Sequence, residues 1–490
     1  MTGSRLIRVA ALVAASTLTG SVLVIALGAW TTVVLFLALA TLAAAALPLA
    51  QRVRAGRFDL LEPIVGSTIV LAVVFGIRPI AMLVADDFVY RDVDIAPHFP
   101  YTVALGLLGT VAFVAAYEWA RHKLPASSSQ GRESRISRPL AFGSVAVLAL
   151  LSVLLFGLHL SRLGSNLADG FRLLVGGQSP DLVARWAGTS EYLSTSPILA
   201  ACGATLLGIA TRWRLTRFQL LFFVVLIAYP VAMFYLSGTR RYMVPCLLVP
   251  LVTWMLMSVR RPGGRLLLAL IPISFLILAT IPFARWVGTR DDATGGIGTV
   301  IVQAIEDPAR AVHRFILGPD TNMLPALARE VSVLTAPEDF FYGRATVGDL
   351  FLAPIPHLIF PDKPQSARDE LLTRTFGAPC RLAGDGVCDD FSIIGTFYQD
   401  FWVPGVAILM GGVGAASAWL WSRWHKSPGD QRLIVATGTW VVFVPIIFRA
   451  GFMPGFQWWL YFFVPCLLGV MVFMRPPEPH SHDATAKLMP

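Results

Sequence analysis

Arginines stand in this chain where a membrane protein ordinarily avoids them. Arg240 and Arg241 occur in Leu236-Ser237-Gly238-Thr239-Arg240-Arg241 at the edge of an apolar run, and Arg449 closes another run in Phe448-Arg449-Ala450-Gly451. Arg285 and Arg290 follow a third run, and Arg78 lies inside a fourth, just before Pro79. A cation at membrane depth is costly unless paired, and is a functional candidate by default. Snorkelling, or pairing with Asp86, Asp87 or Asp291, is the plainer alternative. A guanidinium is always charged and grips phosphate oxygens bidentately, so a cluster of them suits a diphosphate. At ~4 Å and an effective dielectric of about 20, each charge pair is worth roughly 4 kcal/mol before desolvation. Two or three such pairs could stabilise a leaving diphosphate without a metal.

Two further segments carry polar residues in constrained surroundings. Between Gly348 and Pro364, the prolines Pro354, Pro356, Pro361 and Pro364 stiffen the backbone and hold His357, Asp362 and Lys363 among apolar neighbours. Farther on, Asp389-Asp390-Phe391-Ser392-Ile393-Ile394-Gly395-Thr396-Phe397-Tyr398-Gln399-Asp400-Phe401 leads into an apolar run. Transfer of a glycosyl group with inversion needs one base to take the acceptor hydroxyl proton. His357, Asp390 and Asp400 each qualify, although helix capping or loop solvation accounts for any one of them equally well.

These residues must be positioned by helices in lipid. The chain has 490 residues, is 56% hydrophobic and 14% charged, and has a mean hydropathy of +0.67, more apolar surface than a soluble core of this size hides. Apolar runs fall at 8–28, 31–50, 61–84, 101–120, 140–160, 193–211, 218–236, 242–259, 266–283, 402–422, 433–449 and 457–474, predicting about twelve spans. Although the first of them resembles a signal peptide, apolar sequence continues to Ala50 with no convincing cleavage site, so an uncleaved hairpin is expected. Short basic loops carry Arg52, Arg54 and Arg57; Arg121, Lys123 and Arg132; Arg212 and Arg217; Arg260 and Arg265; and Arg423 and Lys426. With twelve spans all of these fall on one side, which the positive-inside rule makes cytoplasmic together with both termini. The formal charge of +9 is therefore a topology signal and an attraction to anionic lipid, and not a nucleic-acid signal.

The expected organisation is all-α and polytopic. Residues 1–283 would form nine spans, 284–401 one large extracytoplasmic cap with helices at 301–317 and 323–335, 402–474 three more spans, and 475–490 a cytoplasmic tail. The chain contains no Walker A loop, Rossmann fingerprint, HExxH, paired metal-ligand motif or G-x-S-x-G elbow, and no cofactor is expected. The basic loops are too short to hold a nucleotide. Chemistry is expected at the outer face, on a substrate that arrives already activated, and lipid-diphosphate-linked sugars meet that requirement. Cys202, Cys246 and Cys466 fall in apolar runs as packing residues. Cys380 and Cys388 stand in the large loop, separated by seven residues of which two are glycines, and are expected to form a disulfide in an oxidising compartment.

Ser237-Gly238-Thr239-Arg240 resembles the Ser-Gly-Ser-Arg signature of O-antigen polymerases and related ligases. Ile355-Pro356-His357 through Phe360-Pro361-Asp362-Lys363-Pro364 is similar to the Ile-Pro-Arg…Trp-Pro-Asp-Lys-Pro segment of oligosaccharide repeat-unit polymerases. Phe391-Ser392 through Asp400-Phe401 and Pro404-Gly405 resembles the polar stretch before their next helix. The motifs span 237 to 410, and the proline-rich one is the most specific. The resemblance implies a metal-independent membrane glycosyltransferase of the GT-C kind in the bacterial inner membrane. It would polymerise repeat units carried on undecaprenyl diphosphate, with flippase and chain-length regulator proteins as partners. Arg240 carries over as a diphosphate contact, joined by Arg241, Arg285, Arg290, Arg449 and Lys363. His357 stands where the family has Arg, and Thr396 and Asp400 also depart from its pattern. A ligase acting on another acceptor is the nearest alternative. A lipid-linked oligosaccharide flippase is a more distant one, because no similarity between halves and no mid-membrane charge is visible.

Overall fold

Once in lipid, an apolar run has no water to satisfy its backbone and must close its hydrogen bonds internally. The computed structural model describes residues 30–124, 137–164, 166–170, 191–236, 240–258, 316–318, 321–352, 355, 360, 364–376 and 391–474. Among these, eight helices are long and apolar enough to cross a membrane. They are α1 (Trp30–Arg54), α2 (Pro63–Ala85), α3 (Phe99–Lys123), α4 (Arg138–Leu163), α7 (Arg217–Leu236), α12 (Ile393–Lys426), α13 (Gln431–Ala450) and α14 (Phe452–Phe473). Between α4 and α7 lie the short α5 (Glu191–Thr195) and α6 (Ile198–Ala210), and after α7 comes α8 (Arg240–Met257). The large loop contributes α9 (Met323–Val333), α10 (Asp349–Leu352) and α11 (Ala367–Phe376). The expected runs 8–28 and 266–283, and all but the last two residues of the helix expected at 301–317, lie outside the described residues.

The run expected at 193–211 is broken. Ser196 and Pro197 separate α5 from α6, and the 13 residues of α6 span only about 20 Å. Nearly all of α6 is buried, because it is apolar on every face and packs among α4, α7, α8 and α14. A second departure from all-helical structure is a small antiparallel ribbon joining α2 to α3, Val89–Tyr90 (β1) against Val93–Asp94 (β2), turned by Arg91 and Asp92 at positive φ.

The most extensive helix contact joins α3 to α12. At Gly414 the two backbones meet so closely that a Cβ would lie 2.3 Å from the Phe113 carbonyl oxygen. At the basic end of the bundle Arg52, one of the short-loop charges, is buried. Its Nε lies 2.6 Å from Glu62 Oε2 and its Nη2 2.7 Å from Glu118 Oε1. Arg121 Nη1 lies 2.9 Å from Glu62 Oε1, to which the Tyr117 hydroxyl also donates at 3.0 Å. Guanidinium and carboxylate forks in mutual reach make such a group tolerable away from water. It ties α1, α2 and α3 together at that end.

Candidate functional site

At the opposite end, α12 is two helical pieces in one. Phe401 (φ −140°, ψ 22°) and Trp402 (φ 57°, ψ −148°) break it, and Pro404 cannot donate a backbone hydrogen bond. The carbonyls of Gln399 and Asp400 instead accept from the N–H groups of Phe341 (2.9 Å) and Tyr342 (3.0 Å). The buried Asp400 carboxylate accepts from Ala345 N at 2.9 Å and Thr346 N at 2.7 Å. Loop residues 341–346 thus form a strap across the break, turning at Tyr342 (φ 50°) and Gly343 (φ 90°). Asp349 secures its far side by accepting from Ala367 N at 2.9 Å. Burial pushes the Asp349 carboxyl up to about 6, against the opposing pull of the Ala367 N–H and the Arg344 guanidinium.

A second anchor is Arg78. The expectation set it inside an apolar run as a functional candidate, with pairing to Asp86 or Asp87 as the plainer alternative. Its hydrogen bonds go elsewhere, to the carbonyls of Ile316 (2.9 Å) and Gly318 (3.1 Å), to Asn322 Oδ1 (2.7 Å) and to the Thr321 hydroxyl. Within α2, a wide turn at Val73–Ile77 precedes Arg78 and Pro79, letting the helix pass the proline. Arg78 therefore fastens the loop segment ahead of α9 onto α2.

Between strap and bundle lies a small cleft, of about 10 Å³, lined by Ala345, Arg368, Phe391, Thr396, Gln399 and Met453 among others. Ala450 also lines it, and Arg449, the residue before, is exposed in the last turn of α13. Arg241 stacks on Trp458 at 4.7 Å and on Tyr242 at 5.2 Å, four residues along α14 from the cleft-lining Pro454. The fold thus brings Arg241 and Arg449, expected from the sequence, to one end of the bundle together with Arg368, which sequence reasoning missed. Arg240 opens α8, and its side chain is outside the described set. His357, Lys363, Cys380, Cys388, Asp390, Arg285 and Arg290 also lie outside the described residues.

Sequence reasoning missed Glu330 as well. It sits on α9, fully buried against Gly395, with neither oxygen hydrogen-bonded among the described residues. Burial, and then the Asp400 carboxylate, push its carboxyl well above the ordinary range. The one available signal was a lone acid in the apolar stretch from Met323 to Val331.

No family model matches this chain, and neither a curated protein nor a solved structure matches it. The site's chemistry is therefore argued from its own residues. Arg368 supplies a cationic donor in the cleft, and Arg241 and Arg449 stand towards the same end of the bundle. Gln399 and Thr396 supply polar atoms within the cleft, and carboxyls stand close behind. Among the described residues no group of three or more His, Cys, Asp or Glu is placed to hold a metal ion.

Proposed function

We propose that this membrane protein is a glycosyltransferase that polymerises oligosaccharide repeat units carried on a polyprenyl diphosphate. It acts at the outer face of the bacterial inner membrane, with both termini cytoplasmic and the 284–401 loop as its cap. The observation that supports this reading is the placement of Arg368 in the cleft with Arg449, next to the cleft-lining Ala450, and Arg241, stacked on Trp458, towards the same end of the bundle. Arg240 precedes Arg241 at the start of α8, and we assign it the same role. In the reaction, an acceptor hydroxyl oxygen attacks the anomeric carbon of the donor, and the bond from that carbon to the diphosphate breaks. The diphosphate leaves with the electron pair, and the arginines neutralise the charge it gains. No nucleotide is consumed, because the donor arrives activated. Of the bases read from the sequence, Asp400 has both oxygens engaged by the strap's N–H groups, so the role is open to His357, Asp390 or a group found only in the fold.

Arg240→Ala tests the reading. The variant should accumulate normally but lose polymer, a loss of about 10²–10³ in rate for one such contact. Arg240→Lys should stay impaired, since a point charge does not reproduce the guanidinium fork. Arg260→Ala serves as control. The assay is the length distribution of lipid-linked glycan. Normal-length polymer from stable Arg240→Ala protein would remove Arg240 from the site and move the diphosphate contact to Arg449 or the His357 segment. Glycan moved to an acceptor other than a lipid-linked repeat unit would identify a ligase, and translocation without elongation a transporter.

A further inference from the structure

A fully buried carboxyl with no hydrogen-bond partner is costly, and in a native fold it calls for a physical reason. The seat of Glu330 supplies one. Position 391 lies just ahead of α12, and positions 395 and 399 are four apart within it and share one helix face. Phe391 and Gln399, the outer two, line the cleft. The middle position is Gly395, where a Cβ would lie 2.6 Å from Glu330 Oε2. The carboxylate of Glu330 thus takes the place of the missing side chain, one helical turn from the cleft-lining Gln399. One turn along, Gln399 Oε1 is also buried and has no partner among the described residues. Two neighbouring acceptors without donors complement a ligand that brings donors of its own, and sugar hydroxyls are such donors.

Resting on the glycosyl-transfer reading above, we propose that Glu330 and Gln399 form the acceptor-sugar subsite, with Glu330 the base of the transfer. Gln399 Oε1 accepts a hydrogen bond from one acceptor hydroxyl and orients the ring. Glu330 receives the proton of the attacking hydroxyl as its oxygen bonds to the anomeric carbon and the diphosphate departs with the electron pair. The neighbouring carboxylates are already committed, Asp400 to Ala345 and Thr346 and Asp349 to Ala367. Burial makes Glu330 a stronger base than a free glutamate once ionised. An entering hydroxyl, by donating to the ionised form, favours that ionisation. Substrate entry and readiness of the base are therefore coupled.

The test uses the full chain in liposomes with a polyprenyl-diphosphate-linked repeat unit, assayed for elongation from pH 5 to 9. Glu330→Gln keeps the size and neutrality of the resting acid. It should accumulate normally and bind the lipid-linked unit as wild type does, yet elongate about 10²–10⁴-fold more slowly. Its pH profile should lose the acid limb, where the wild-type rate rises as the base ionises. Glu330→Asp should retain the limb at a reduced rate. Gly395→Ala must displace the carboxylate without changing charge, and should slow elongation while leaving donor binding intact. Wild-type rate and pH profile in Glu330→Gln would overturn the inference and return the role to His357 or Asp390, leaving the transfer reading standing. If Glu330→Gln fails to accumulate, Gly395→Ala decides, and a wild-type rate there overturns the inference. A wild-type protein that never elongates the unit overturns both readings together.

Discussion

Asp349 offers a test at the scale of one carboxyl. Its folded value of about 6 lies above the ordinary 3.8, so the folded state keeps its proton over a pH range where the unfolded chain has released it. The sign follows: stability is greatest below pH ~4 and falls as pH rises towards about 6, by at most about 3 kcal/mol. Asp349→Asn retains an oxygen for Ala367 N and stays neutral, so it should flatten that slope. Melting temperatures in detergent from pH 4 to 7 give the comparison, and an unchanged slope in the variant would place the dependence elsewhere. At this scale the sequence is readable only in part. Arg78, Arg241 and Arg449 announce themselves as charges in apolar surroundings. The partners of Arg78 are mainly backbone carbonyls some 240 residues away, and carbonyls leave no mark in a sequence. Glu330 is obscured for a related reason, because its burial depends on an absent side chain at Gly395.

At the scale of elements, the strap is fastened chiefly through Asp400. Replacing it with Ala leaves the buried N–H groups of Ala345 and Thr346 without acceptors, at about 1–3 kcal/mol each. Asp400→Asn keeps an acceptor for one of them and should cost roughly half as much. Limited proteolysis around 341–346, run beside thermal unfolding, should show the strap opening first in Asp400→Ala. Protection equal to wild type would mean that the carbonyls of Gln399 and Asp400 hold the strap by themselves. Most long helices were readable here, since lipid permits no substitute for a continuous apolar run. The break at Phe401 and Trp402 was not, although Pro404 stood in view. A proline one turn into a membrane helix can be absorbed in several ways, and here the donors that absorb it come from a distant loop.

Orientation is a property of the whole molecule, and the alternation of basic and non-basic loops carries it. Reporters fused after Arg135 or Arg261 should read as cytoplasmic and one within 300–380 as external. The reverse labelling of the large loop would remove the case for outer-face chemistry. On that external side, Cys380 and Cys388 should be joined, closing a short loop worth about 2–3 kcal/mol locally. Non-reducing mass spectrometry that finds both thiols open to alkylation would refute the bond. The alternation was legible because charge placement is linear information. The lining of the cleft was only half legible, because Arg368 on α11, Gln399 on α12, Ala450 on α13 and Met453 on α14 meet there from distant parts of the sequence.

The buried group at the basic end bears on how this protein is made. Arg52 and Arg121 count among the charges that orient the chain during insertion, yet in the finished fold they face Glu62 and Glu118, two positive charges against two negative. The orienting signal is thus temporary: it acts while the loops are in water and is cancelled as the helices close. Glu62 follows Arg52 by ten residues, so the first cancellation becomes possible as soon as the turn into α2 has emerged. Glu118 and Arg121 arrive only with the end of α3. Assembly of this end therefore has an order implied by its ion pairs, in which Arg52 and Glu62 can join α1 to α2 before α3 brings Glu118 and Arg121 to them.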